Sequence, residues 1–519
     1  MGQTQILQPE VTLTLANADR TVSNKDQKVL IVGQKIAAGS AVDGVLQVNI
    51  SSSGAPENAL FGESSQVAAM VRAFKLVNPV VQLDVIALDD AAGTARVVDI
   101  TIVGTATEAG TLVVVAGSET LHRFEIAIAD TDTATIIAGK IVAAVNADTK
   151  APFTASNVVG VVSLTADNLG TVANDLGVET SGNIAGVTGF AVSETTPGAT
   201  DPTLTGVLDV ATDRYQAVIW PYSVGTAIDT LLLFLDPRFN PTNAILDGVG
   251  FVSLDDTHVN ALAAGNAENS ESLVIFADKT ESETNYLGPA MNEPSYSKSA
   301  TVAGIRALRL TQDAAIARFL TSSASLDQFG GPALASLPYF NTPVPQFPLI
   351  AAGRGWTDLE LEQLLDAGVS VIGNNSTGTT ALIGEVVTTF KTDSAGNEDI
   401  TFKFLNFVDT SSNVREYFFN NYKKRFAQSR LTQGAVSRGR DMANAVVIRA
   451  FTEQLYKDLS GPNFVLVQDG PTAFAFFKKN ITIVLDLANG KVTITMFVPI
   501  VTQLRQIIAT IKIAFDTEG

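Results

Sequence analysis

SQVAAMVRAFKLVNPVVQLDVIA, residues 65–87, changes period halfway along. Ser65 can cap a helix whose apolar positions Val67, Met70, Val71, Phe74 and Val77 recur at helical spacing. Asn78-Pro79 ends that helix, because the residue before a proline is pushed out of the helical region, and 81–87 then alternates as a strand. Upstream, Lys28-Val-Leu-Ile-Val-Gly33 reads as a buried strand. Strand, helix and strand in this order predict the start of an α/β layer.

The same order resumes downstream. Strand-like runs at 215–220, 250–254 and 272–276 alternate with helical stretches near 227–235 and 256–265, which implies crossovers in a mainly parallel sheet. Longer helices follow at about 302–320 and 357–367, with a Pro- and Gly-rich surface loop at 330–355 between them. Between about 95 and 198 the texture is different: short Thr-, Val-, Ala- and Gly-rich strands, including the alternation Phe124, Ile126, Ile128, and one helix near 133–147. That helix has Ile137, Ile141 and Val145 at fourfold spacing, and Asp130 or Asp132 can supply its N-cap. The same aspartates lack the Gly and terminal Glu of a calcium loop. The Thr-, Pro- and Gly-rich 193–202 reads as an exit linker, so 95–198 is an inserted β-rich domain.

The last portion is ordered differently again: paired strands at 382–391 and 399–408, two helices, then strands ending near 511–515. In the first helix Val414, Phe418, Tyr422 and Phe426 form the buried stripe, while Lys423, Lys424 and Arg430 lie off it. In the second, Val447, Ile448, Phe451, Leu455 and Leu459 form the buried face, and Arg449, Glu453 and Lys457 the outer one. Residues 1–25 are polar and Thr-rich, with only the alternation Val11, Leu13, Leu15 to suggest a strand, and read as an extended arm.

A chain of 519 residues suggests three or four domains, each able to bury its own core, and 46% hydrophobic against 17% charged residues is the balance of a folded chain. The absence of cysteine excludes disulfides, thiolate metal sites and thiol nucleophiles. MGQTQILQPE has neither a basic nor an apolar signal region, no apolar run approaches 18–20 residues, and Ile6 stands where a myristoylation motif needs Ser or Thr. A soluble, unexported protein is expected. The net charge of -19 disfavours general nucleic-acid binding. From residue 400 onward, however, Lys and Arg outnumber Asp and Glu by fifteen to nine, a basic end that calls for an acidic partner or complementary self-contacts.

No phosphate-cradling G-x-x-x-x-G-K-[ST] loop and no G-x-S-x-G nucleophile elbow occurs. His122 sits in an expected strand without a neighbouring ligand, and His258 follows Asp255-Asp256 at a helix start. A Ser–His–Asp triad through His258 stays open, since triads assemble from distant positions. Asp393-Ser-Ala-Gly-Asn-Glu-Asp399 offers carboxylates, but its place between two alternating segments makes it a Gly/Asn turn. No catalytic, cofactor-binding or metal residue is assigned.

Several passages in order resemble the bacteriophage contractile tail sheath proteins, especially their Mu-like branch: LFGESSQVAAMVRAFKLVNP (60–79), GTATEAGTLVVVAG (104–117), LTADNLGTVANDLGV (164–178), RYQAVIWPY (214–222), LLDAGVSVIG (364–373) and GEVVTTFKTDSAGNEDITFKFLNFVDT (384–410). The resemblance implies a multidomain α/β and α+β chain. Its parts would be a central α/β domain (26–94 and 199–380), an inserted β-rich outer domain (95–198), a C-terminal α+β domain facing a tail tube (381–504), and linking arms at 1–25 and 505–519. It also implies a non-enzymatic subunit of stacked hexameric rings that contract around the tube without nucleotide or other cofactor. The partners would be further copies, the tube protein, and the baseplate and terminator proteins, with no direct nucleic acid or membrane insertion. Its place would be the virion tail, after assembly in the host cytoplasm. Family arms add strands to a neighbour's sheet, which suits Val11, Leu13 and Leu15 and, at the other end, Ile511, Ile513 and Phe515. An inward C-terminal domain makes Lys423, Lys424, Arg430, Arg438 and Arg440 the candidate tube-facing cations, with Arg440 able instead to pair internally. A tailocin or related injection device would use the same subunit; a surface-layer or adhesin protein shares the composition but needs an export signal.

Overall fold

The computed structural model describes residues 27–50, 54–223, 225–238, 246–311, 339, 342–344, 346–375, 377–436, 442–461 and 466–501. The first elements are β1 (Lys28–Gln34), the edge strand β2 (Leu46–Gln47), helices α1 (Ala55–Phe61) and α2 (Gln66–Val77), and β3 (Gln82–Leu88). Ser65 caps α2 as the sequence predicts, its hydroxyl accepting the Ala68 N–H. At the other end Asn78 Oδ1 accepts the N–H groups of Val80 and Val81 and turns the chain into β3. β1 and β3 lie parallel from Lys28↔Gln82 to Gln34↔Leu88.

Residues 95–196 follow as β4 (Ala95–Gly104), β5 (Gly110–Gly117), β6 (Arg123–Ile128), helix α3 (Ala134–Ala147), β7 (Phe153–Val158), β8 (Val161–Leu169), β9 (Gly177–Ser181) and β10 (Val187–Thr196). An antiparallel sheet in the order β10-β4-β8-β7 is covered by α3, which buries Ile137, Ile141 and Val145. Neither Asp130 nor Asp132 caps α3. Thr133, extended just before the first helical residue, places its hydroxyl on the Ile136 N–H, while Asp132 accepts the Ala129 N–H and pairs with Lys140.

Next come β11 (Ala217–Ile219), α4 (Thr226–Leu235), β12 (Val249–Asp256), α5 (His258–Ala267), β13 (Leu273–Glu283), β14 (Tyr286–Pro289), α6 (Ser295–Thr311), β15 (Thr342–Pro343), α7 (Asp358–Asp366), β16 (Val369–Asn374) and β17 (Ala381–Ile383). Strands β3, β1, β11, β12, β13 and β16 are neighbours in that order and all parallel. Val29, Ile31, Phe251, Val274 and Phe276 enter one core with α2 and α6, and Leu30, Val32, Val218, Val252 and Ile275 enter a second with α4, α5 and α7. Each such burial is worth about 1.5–3 kcal/mol, so a one-residue slip, which sets every side chain against the wrong helices, is strongly disfavoured.

β13 outruns this sheet. Beyond its pairing with β12 and β16, Thr280–Glu283 folds back on β14, and β14 pairs with β9, which continues into β5 and β6. The 95–198 segment is therefore stitched to the central sheet by a hairpin whose polar Thr-Glu-Ser-Glu has no apolar period to read.

The chain closes with α8 (Leu405–Phe426), β18 (Arg430–Leu431), β19 (Met442–Ala443), α9 (Ala445–Ser460), α10 (Pro471–Lys479), β20 (Thr482–Asp486) and β21 (Lys491–Thr495). The expected strand pair at 382–391 and 399–408 is replaced: β17 ends at Ile383, the segments touch in single bridges Val387↔Phe404 and Thr392↔Glu398, and 405–408 starts α8. Leu405 and Val408 are buried three residues apart on one helix side, while Phe402, Phe404 and Val408 fall on alternate positions, so the short apolar run fits either period. Asp393 to Asp399 does form a turn, with Asp393 Oδ1 accepting the amides of Ala395 and Asn397 and Gly396 at φ +83°. A third helix, α10, stands where only strands were expected; Gly470 and Pro471 start it.

Gly265 gives a packing test. Alanine is favoured over glycine in a helix by about 1 kcal/mol, but a Cβ here would lie 2.5 Å from Val369 Cγ2 and 2.6 Å from the Ala367 carbonyl oxygen. Gly265→Ala is expected to destabilise the fold by about 1–3 kcal/mol in chemical denaturation, reversing the propensity; a gain in stability contradicts this packing of α5 against β16.

Candidate assembly surfaces

α8 is 22 residues long, about 33 Å at 1.5 Å per residue, and its two halves lie in different cores. Leu405 and Val408 join the core beneath α6, whereas Val414 and Phe418 pack with Leu455, Tyr456, Leu459 and Phe477. A charged seam fixes the helix between them. Arg306 on α6 donates from Nε and Nη2 to one oxygen of Asp409, at 3.1 and 2.6 Å, and the Tyr339 hydroxyl donates to the other at 2.6 Å. Arg214 bridges Asp247 at 3.0 Å and Glu416 at 2.9 Å, and Arg415 reaches Asp247 at 2.7 Å. Arg306 and Asp409 are both buried, so removing either alone strands a charge, at about 3–5 kcal/mol.

The far half of α8 turns cations outward. Tyr422 and Phe426 pack on Phe451 of α9, with centroids 6.1 and 5.4 Å away, leaving Lys423, Lys424 and Arg425 exposed on the last turn and Arg430 exposed on β18. The other two candidates, Arg438 and Arg440, lie outside the described residues. A second basic group went unread with α10: the ammoniums of Lys457 and Lys478 lie 5.0 and 4.7 Å from the centre of the Phe474 ring, and Lys479 is exposed beside Lys478. Arg449, whose partner Glu453 is 3.2 Å away, also donates to the Lys478 carbonyl.

β20 and β21 pair with each other from Thr482↔Thr495 to Asp486↔Lys491 and, among the described residues, with no other strand. A lone two-stranded hairpin is marginal, and both its edges offer unpaired backbone groups. The candidate arm residues Val11, Leu13, Leu15, Ile511, Ile513 and Phe515 lie outside the described residues.

The remaining titratable groups are structural ties. His122 Nδ1 lies 2.8 Å from Asp148 Oδ2 and holds the start of β6 to the end of α3; burial pushes its pKa down despite that carboxylate. His258 begins α5 with its ring 5.8 Å from Trp356, and its Nε2 has no hydrogen-bond partner among the described residues. At the carboxyl ends of β12 and β13, Lys298 lies 3.0 Å from Asp255 and 2.7 Å from Asp278, all three almost fully buried. Burial pushes the Asp255 carboxyl well above its usual range even beside Lys298. Among the described residues no helix is long and apolar enough to cross a membrane.

No family model matches the chain. Among curated proteins it is 25% identical over 441 residues to the Mu-like prophage FluMu tail sheath protein of Haemophilus influenzae, covering 83% of this chain and 82% of that one. The chain is thus similar, over most of its length, to a Mu-like tail sheath protein. Two solved structures are also similar to this chain. The sheath tail protein of Desulfitobacterium hafniense has a TM-score of 0.46 at 12% identity, over 92% of this chain and 94% of that one. That of Listeria innocua has a TM-score of 0.44 at 10% identity, over 92% and 93%.

Glu293, just before α6, ties the end of β5 to the central fold. Its Oε1 accepts the Ser118 hydroxyl at 3.0 Å and its Oε2 has no hydrogen-bond partner among the described residues. Burial raises its pKa to about 7, opposed by Ser118 and Lys298 and reinforced by Glu119; burial likewise raises Asp175 to about 6. A raised carboxyl favours the folded state fully below its unfolded pKa of about 4.3, and that contribution is lost as pH rises toward 7. Glu293→Gln is expected to flatten this slope, gaining about 2–4 kcal/mol on wild type at pH 8 relative to the difference at pH 4. Urea denaturation of both proteins at the two pH values measures it, and an unchanged slope contradicts the assignment.

Proposed function

We propose that this chain is the structural subunit of a contractile phage tail sheath. It polymerises as stacked hexameric rings around a tail tube and contracts to drive the tube through the host envelope. The observation that carries the reading is the 441-residue relationship to a tail sheath protein. The geometry supports it in two ways. α8 welds the C-terminal helices to the central sheet, so shortening of an array occurs by rigid-body repacking between copies. The β20–β21 hairpin offers two open edges close to the point where the last described residue, Val501, hydrogen-bonds to Leu466. Arms 1–25 and 505–519 from neighbouring copies then add Val11–Leu15 and Ile511–Phe515 as further strands, with backbone bonds giving continuity and alternate side chains setting register.

On this reading the exposed Lys423, Lys424 and Arg430, with Arg438 and Arg440, face an acidic tube. The other partners are the baseplate and terminator proteins, and the sheath is assembled in the host cytoplasm before residing in the virion tail. The same subunit serves a tailocin or related injection device. Deleting 1–25 or 505–519 is expected to abolish sedimentable polymers while leaving the folded subunit, and Lys423→Glu with Lys424→Glu to weaken co-sedimentation with tubes and its salt dependence. Polymers from both truncations contradict the arm linkage, and unchanged tube binding contradicts the cation assignment.

A further inference from the structure

Helices α4, α5 and α7 cover one face of the central sheet, and their outward sides combine exposed aliphatics with a single sign of charge. Leu233, Val259 and Leu359 are 79%, 73% and 65% exposed. The three helices carry Asp229, Asp358, Glu360, Glu362 and Asp366 and no Lys or Arg. Glu360 is engaged in the capping box with Thr357, and Asp366 pairs with Lys403. Asp229, Asp358 and Glu362 have no ion-pair partner among the described residues.

The face of α9 and α10 gathers cations, although α9 also carries Glu453, paired with Arg449, and Asp458, which accepts from Gln454. Lys457 and Lys478 crowd one phenyl ring, Phe474, with Lys479 beside them, and none of the three lysines has an ion-pair partner among the described residues. Phe476, on another side of α10 from Phe474, is half exposed. An apolar patch rimmed by one sign of charge is the make-up of a protein interface, and matched opposite rims select the partner. At a net charge of -19, copies repel one another unless local cations meet local acids.

We infer that the acidic α4–α5–α7 face of one copy is the docking site for the basic α9–α10 face of a second copy. The inference rests on the self-assembly proposed above and adds the surfaces that meet. The two patches differ, so the contact is heterologous. Each copy keeps one free patch of each kind, and repetition generates a ring if the rotation closes or a helical array if it does not.

Two charge-swapped full-length variants test this, Lys478→Glu with Lys479→Glu, and Asp358→Lys with Glu362→Lys. All four sites are on the outer surface, and unchanged thermal unfolding by circular dichroism confirms the fold of each. In sedimentation velocity each variant alone is expected to self-associate about tenfold or more weakly than wild type. An equimolar mixture recovers assembly, because the acidic α10 of one variant meets the basic α7 of the other. Wild-type assembly by either variant alone, or a mixture that stays dispersed, overturns the docking assignment. So does loss of tube binding with self-association intact, which would give the α10 lysines to the tube. Wild type that never self-associates overturns the self-assembly reading as well.

Discussion

The buried contact between Arg306 and Asp409 is the constraint around which this chain is organised. It joins α6, which lies on the central sheet, to α8, which continues into the C-terminal helices. Buried ion pairs add little net stability compared with apolar packing, but they penalise misplacement heavily. Here the penalty fixes the docking of a helix that spans two cores. The neighbouring Arg214–Asp247–Glu416 bridge extends the same seam along α8.

Much of this arrangement is legible in sequence where one physical rule acts alone. The parallel strands are apolar on both faces, and the helices between them show helical spacing, so β1, α2, β3, β11, β12 and β13 read directly. Ser65 and the 393–399 turn read correctly because capping and turn chemistry are local. The misses occur where long-range pairing overrides a local pattern. Phe402, Phe404 and Val408 alternate on paper, but Leu405 and Val408 are held in α8 by the core under α6 and by Asp409. Thr133 takes a cap that two aspartates could also have supplied. The β13–β14 hairpin, polar in sequence, carries the seam to β9 because backbone pairing needs no apolar side chains.

The candidate surfaces divide in the same way. Lys423, Lys424 and Arg430 were legible because they fall off an aromatic stripe every four residues. The Lys457–Phe474–Lys478 group was not, since it is assembled from two helices, one of them unrecognised. Of the acidic face, only the run Asp358-Leu-Glu-Leu-Glu362 was visible in the chain; its alignment with Asp229 and Val259 depends on three crossovers placing their helices on one side of the sheet. The excess of negative charge in the first 400 residues and the basic end thus resolve into defined faces of one folded unit.

The central claim is that these faces and arms make copies of the chain polymerise. Negative-stain electron microscopy of the purified full-length protein, alone and with tail tubes across salt and concentration, tests it most directly. The account predicts hollow ribbed cylinders, or sleeves around the tubes. Monodisperse particles under every condition would contradict it.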